Sequence, residues 1–233
     1  MPVDQYTKEN SSYLKANPTW HSEDSPWKAD QILRIISKND IQFTSVVEVG
    51  CGVGEILNQL SLKLDDKKIM FSGYEIAPDA YKEAIKRENE FIKFYNEDLS
   101  FQDRVFDLLL MIDVFEHVED YFSFLRNHKS KAVYKIFHIP LDISVLNIVR
   151  NVPMKTRMAV GHLHYFTKET AIAALKDTGY EIIDTMYTPV MTEVNNKKFS
   201  TKIANIFRRL FCKISPDLTS RIFGGYSLMV LAK

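Results

Sequence analysis

The sequence predicts an α/β domain in which a mostly parallel sheet is covered by helices on both faces. Three observations predict it. Short apolar runs alternate with helix-length segments, the pattern of successive βαβ units. Runs such as Leu108-Leu109-Leu110-Met111-Ile112 are unbroken, which suits strands buried on both faces. The first run feeds a glycine-rich turn, Gly50-Cys51-Gly52-Val53-Gly54, and then a helix.

The elements follow in order. Pro26 and the apolar positions Ile32, Leu33, Ile35 and Ile36 predict a helix at 26–38, with Ser25 as its cap. Ser45 to Val49 is a first, buried strand, and a helix follows at 54–63. A second strand runs from Ile69 to Ile76, and Pro78 opens the next helix. Phe91 to Tyr95, Val105 to Ile112 and Val133 to Ile139 are the third, fourth and fifth strands. Thr167 caps a helix that stops at Gly179, and two last strands, Tyr180–Tyr187 and Tyr226–Leu231, flank an amphipathic stretch.

Composition narrows the function. At 233 residues with 45% hydrophobic and 26% charged residues, the chain can bury a sizeable core as one domain. Thirty Lys and Arg balance thirty Asp and Glu, so nucleic acid is not the expected partner. No apolar run approaches the roughly 20 residues that span a bilayer. The polar start lacks a signal-peptide pattern, and Cys51 and Cys212 lack metal or redox spacing. The expectation is a cytoplasmic protein with reduced thiols.

The glycine turn carries the most information. A dinucleotide fingerprint spaces its glycines G-x-G-x-x-G and turns a helix N-terminus toward a pyrophosphate. Here they stand at 50, 52 and 54, between the acids Glu48 and Glu55, with no basic residue in the turn. That setting disfavours pyrophosphate and suits a ligand with a cationic end, an ammonium or a sulfonium. Glu75, at the end of the second strand, can accept hydrogen bonds from both hydroxyls of a ribose.

The segment Glu48-Val49-Gly50-Cys51-Gly52-Val53-Gly54 resembles the first motif of class I S-adenosylmethionine-dependent methyltransferases. The resemblance continues through Gly73-Tyr74-Glu75-Ile76, Asn96-Glu97-Asp98-Leu99 and Asp107 to Val118, and covers about 26–140. The segment from Asp113 to Val118 resembles the group holding ubiquinone-pathway O-methyltransferases and bacterial polysaccharide and natural-product methyltransferases. It implies a Rossmann-like three-layer sandwich, with a seven-stranded, mostly parallel sheet whose last strand is antiparallel. It also implies S-adenosyl-L-methionine as cofactor. Gly50 and Gly52 would border its methionine part, with Glu48, Cys51 and Gly54 in the same loop. Glu75 would hold the ribose, Asp98 the adenine amino group, and Leu99 and Ile76 the two adenine faces. Asp98 has a turn or cap role as its alternative, and its place after the third strand favours the adenine contact. Asp113 and Val114, beyond the fourth strand, complete the cofactor set.

The implied reaction is methyl transfer to a small molecule, a glycan or a lipid-linked saccharide, with O-methylation foremost. N- or C-methylation, or a non-catalytic S-adenosylmethionine-binding scaffold, stands as the alternative. A hydroxyl acceptor needs a base, and His117 and His164 are the candidates, with His138 and His162 nearby in sequence. His162 and His164 could meet a metal only in an extended segment, with Glu116 or His117 completing the set. No metal ligand is assigned.

The expected organisation is an N-terminal lid at 1–40 and a methyltransferase domain at 41–233. Within it lie an acceptor-side insertion near 141–166 and an amphipathic helical insertion near 196–222. Trp20 and Trp27 could shield the site from water, or anchor a helix. The basic, amphipathic 197–213 stretch could lie on an anionic membrane, or pack on the domain.

Overall fold

The computed structural model describes residues 22–64, 66–189, 211 and 214–233. Trp20, Cys212 and nearly all of the basic 197–213 stretch lie outside the described residues, as does most of the expected lid. Seven strands form one sheet: β1 (Ser45–Val49), β2 (Met70–Tyr74), β3 (Ile92–Tyr95), β4 (Phe106–Ile112), β5 (Ala132–Pro140), β6 (Ile182–Thr188) and β7 (Ser227–Ala232). Their order is β3-β2-β1-β4-β5-β7-β6. Pairings among β1 to β5 are parallel, and β7 runs antiparallel to both β5 and β6. Six strands therefore share one direction, and the fold is the Rossmann-like sandwich that the sequence implies.

Eight α-helices are described: α1 (Ser25–Lys38), α2 (Glu55–Leu64), α3 (Pro78–Ala84), α4 (Tyr121–His128), α5 (Val145–Val149), α6 (Val152–Val160), α7 (Lys168–Asp177) and α8 (Pro216–Phe223). α8 lies at the end of the stretch near 196–222, and α5 and α6 lie within 141–166. Among the described residues, no helix is long and apolar enough to cross a membrane.

The alternation of side chains along each strand builds two cores. Val46, Leu108, Leu110, Ile136 and Leu231 face α1 and α2, where Ile32, Ile35, Leu57 and Leu60 meet them. Val47, Leu109, Met111, Phe137 and Val230 point the other way, onto Leu125 of α4 and Leu175 of α7. Each such apolar side chain contributes about 1.5–3 kcal/mol when fully buried. Both faces are covered, which is why the strand sequences read as continuous apolar runs.

Two local details decide helix starts. Thr167 caps α7 through a reciprocal pair with Thr170, as expected. Ser25 does not cap α1: it is the first helical residue, and Asp24 takes the cap position without a side-chain capping bond. The sheet is closed at its far edge by Asp184, which accepts from Asn39 Nδ2 (2.8 Å) and pairs with Lys38 (2.8 Å) at the end of α1.

Candidate functional site

A cavity of about 700 Å³ opens beyond the carboxyl ends of β1, β2, β4 and β5. This is where ligands bind in open parallel sheets, at the point where strand order reverses. Gly50, Gly52, Glu75, Ile76, Asp98, Leu99, Asp113, Val114 and His117 line it, as do Glu48 and Cys51. Two expected site residues do not. Gly54 packs instead: a Cβ there would stand 2.3 Å from Phe94 Cζ, so this glycine seats α2 against β3. His164 points its Nε2 at the Val118 carbonyl oxygen (2.9 Å) and donates to it, pinning the chain outside the cavity.

The glycine loop is shaped by backbone. Gly50 and Gly52 adopt φ +68° and +54°, left-handed values that residues with a Cβ reach only with strain. A Cβ on Gly50 would strike Val114 Cγ2 at 2.9 Å, whereas one on Gly52 would meet nothing within 4 Å and would enter the cavity. Glu75 supports the loop from below: Oε2 accepts from the Gly52 N–H and Oε1 from the Ala77 N–H, both at 2.8 Å. Asp98 has the capping role: Oδ1 accepts from the Ser100 N–H at 2.7 Å, while the residue still borders the cavity.

The wall is strongly acidic. Asp24, Glu48, Glu55, Glu75, Glu97, Asp98, Asp113 and Asp142 line it against two cations, Lys28 and Arg150. Burial pushes the Glu48 carboxyl well above the usual carboxylate range; Glu75 adds to this and Lys28 opposes it. Burial also raises Glu75, against the pull of the Ala77, Gly52 and Ile76 N–H groups. A ligand carrying positive charge would favour the ionised form of both, and a polyanion would not.

Beside the cavity lies a network that the sequence did not announce. Asp113 sits at φ +55°, accepts from His138 Nδ1 at 2.6 Å and pairs with Lys28 Nζ at 2.9 Å. Burial alone would raise Asp113, but His138 and Lys28 outweigh it and hold its carboxyl well below the usual range. His138 Nε2 reaches Thr188 Oγ1 at 2.9 Å, whose hydroxyl donates to the Ser227 carbonyl. Both ring nitrogens of His138 are thus occupied by protein partners, Asp113 and Thr188. His138 is 1% exposed, and its ring ties β5 to Asp113 and to β6. Trp27 stands edge-on to it at 6.1 Å, in an anchoring position.

The end of the cavity away from the glycine turn is lined by His117, His162, Asp142, Asn147, Arg150, Thr156 and Tyr226. His117 and His162 meet edge to face with ring centroids 4.8 Å apart. Asp142 accepts from His162 Nδ1 at 2.6 Å. Burial pushes the neighbouring Glu116 carboxyl well above its usual range, and Asp113 adds to this.

Comparison with known proteins decides the family. A methyltransferase-domain family matches residues 20–185, most of the chain. The chain belongs to this methyltransferase family. No curated protein matches it. Solved structures show the same fold. Magnesium protoporphyrin IX methyltransferase ChlM from Synechocystis PCC 6803, with bound S-adenosylhomocysteine, aligns at TM-score 0.58 and 16% identity over 89% of this chain and 81% of its own. The N-methyltransferase NodS from Bradyrhizobium japonicum WM9, in complex with S-adenosylhomocysteine, aligns at 0.56 and 14% over 99% and 95%. Mycolic acid cyclopropane synthase CmaA1, complexed with S-adenosylhomocysteine, aligns at 0.60 and 13% over 87% and 84%.

Several residues of the cavity wall escaped the sequence reading. Lys28 lies on α1, and Asp142, Asn147 and Arg150 lie between β5 and α7, where no motif marked them. Phe124 of α4 also lines the cavity, outside the motifs that carried the resemblance. His162 was visible as the partner of His164 in a His-x-His pair, and the structure turns the two rings to different neighbours.

Proposed function

We propose that this methyltransferase moves the methyl group of S-adenosylmethionine to a hydroxyl oxygen of a small molecule or saccharide acceptor. The observation that carries this reading is the pair of imidazoles, His117 and His162, at the acceptor end of an acidic cavity whose other end is the glycine loop. The sulfonium is activated by its own charge, so the protein has to align the acceptor and exclude water. An alcohol also has to lose a proton, and imidazole is the side chain suited to that near neutral pH. A carboxylate acceptor gives the two histidines no comparable task.

In this reading the adenosyl group spans from Gly52 to Asp98. Glu75 accepts from the ribose hydroxyls with the lone pairs left over from Gly52 and Ala77. Asp98 receives the adenine amino group through the oxygen not used for capping, with Leu99 and Ile76 against the ring. Glu48, Cys51 and Asp113 with Val114 border the methionine part. The acidic wall matches the net positive sulfonium. Asn147, Arg150 and Thr156 supply polar contacts for a hydroxylated acceptor. The exposed Val145, Ile148, Val149, Met154 and Met158 of α5 and α6 suit an acceptor carried on a lipid.

Two expected outcomes test this. Glu75→Ala weakens S-adenosylmethionine binding by about 1–3 kcal/mol, the range for a charged hydrogen-bond partner, as read by calorimetry. His117→Ala lowers turnover by about 100-fold or more with cofactor affinity largely kept. The assay offers radiolabelled methyl donor to hydroxylated metabolites and nucleotide sugars. Product methylated on nitrogen, or an unchanged His117→Ala rate, would overturn the assignment.

A further inference from the structure

Glu116 is 1% exposed, and neither carboxylate oxygen has a hydrogen-bond partner. Buried polar groups are almost always paired, so one with both oxygens unused asks for a reason. Protonation does not supply it, since a neutral carboxyl still needs an acceptor for its O–H. The surroundings offer one. A single turn, Phe115–His117, follows β4 and presents Glu116 and His117 side by side, with Glu116 Oε1 and His117 Nε2 at 3.9 Å. The chain after α6 is stitched to this turn: the N–H groups of Leu163 and His164 donate to the Glu116 carbonyl at 2.8 and 3.1 Å. That stitching sets His162 opposite His117. One potential ligand atom from each of Glu116, His117 and His162 lies within 4.8 Å of the others.

Asp142 adds a second indication. It accepts from His162 Nδ1 at 2.6 Å, which fixes the tautomer and leaves Nε2 with its lone pair. A carboxylate behind an imidazole is the usual support of a metal-ligating histidine. We propose that Glu116, His117 and His162 bind a divalent transition-metal cation, of the zinc or manganese class, at the acceptor end of the cavity. Two imidazoles and one carboxylate are borderline ligands of the kind these ions take, and leave coordination positions open. Bond lengths of about 2.0–2.2 Å require the three groups to close on the ion by roughly 1 Å, within reach of side-chain rotation.

The use of the cation rests on the reading of methyl transfer to oxygen. The acceptor hydroxyl coordinates the ion, its pKa falls, and its proton leaves to water. The alkoxide oxygen then bonds the methyl carbon as the carbon–sulfur bond breaks, leaving neutral S-adenosylhomocysteine. With the cation bound, His117 and His162 promote loss of the acceptor proton as ligands of the ion rather than as the free base, so replacing either still removes the activation of the acceptor.

Binding itself is tested without turnover. The full chain is titrated with Mn²⁺ alone and free Mn²⁺ is read by its electron paramagnetic resonance signal, with Zn²⁺ as competitor. The expected result is one saturable site from which Zn²⁺ displaces Mn²⁺. Asp142→Asn should weaken it by about 10- to 100-fold, and Glu116→Gln by at least as much. Retained S-adenosylmethionine binding certifies that each variant is folded, and His162→Ala takes the place of any variant that is not. No saturable binding of either ion to the unaltered chain, or equal affinity in the ligand variants, would overturn the proposal. Mn²⁺ binding without S-adenosylmethionine binding would instead strike the functional reading and leave the cation site standing.

Discussion

Gly52→Val is expected to remove measurable S-adenosylmethionine binding while the chain stays folded. The residue lines the cavity, and a Cβ there meets no heavy atom within 4 Å, so the added isopropyl group would stand in the space the ligand needs. The cost to the fold is the strain of a branched side chain at φ +54°, about 1–3 kcal/mol against a typical stability of about 5–15 kcal/mol. Gly54→Ala should fail in the opposite manner. Its Cβ would lie 2.3 Å from the Phe94 ring at φ +77°, so the core has to move and the melting temperature falls. Overpacking of this kind costs about 1–3 kcal/mol before backbone strain is added. Calorimetry and thermal unfolding on both variants separate the two effects. A folded Gly52→Val chain that binds S-adenosylmethionine within tenfold of the unaltered protein would remove this loop from the site.

Asp113→Asn is expected to destabilise the protein by about 3–5 kcal/mol at neutral pH, because it leaves Lys28 buried without its counter-charge. Asn tolerates the left-handed backbone at this position, so the loss reports the charge rather than strain. The pH dependence has a definite sign. Interactions that hold Asp113 below its usual range contribute fully above its unfolded pKa, near 3.9. They are lost as pH falls below that value. Lys28 carries the converse: burial would lower it, Asp113 outweighs burial and raises it, and its contribution is present below about 10.5 and lost as pH rises through the folded value. The gap between variant and unaltered protein, read by urea unfolding, should therefore be widest between these limits and narrow outside them. Equal stability at pH 7 would show that the Lys28–Asp113–His138 network contributes nothing to the fold.

How much of this was legible in the sequence depends on distance along the chain. The strands and the glycine turn are local. Leu108 to Ile112 is apolar at every position because both faces of β4 are covered, and no tertiary knowledge is needed to read it. Glu75 was legible because a strand end and a glycine turn define one crevice. Gly54 illustrates the limit of motif reading: the glycine is required, but by Phe94 rather than by a ligand. The Lys28–Asp113–His138 network was not legible, since its members come from α1, the turn after β4, and β5, and meet only when the sheet forms. His162 and His164 show a third case. Strict alternation would have put both rings on one face, but Gly161–Phe166 has no regular secondary structure, and the period of two does not apply there. The helices of the insertion had readable ends, in Ser144 as the cap of α5 and Gly161 closing α6, yet their place on the cavity wall is a tertiary fact.

A crystal structure of the chain grown with S-adenosylhomocysteine tests the assignment of this cavity most directly. Ribose hydroxyls within hydrogen-bonding distance of Glu75, adenine between Leu99 and Ile76, and the sulfur facing His117 and His162 are the predicted result. Ligand density in any other crevice, with the Gly50–Gly52 turn left bare, would contradict it.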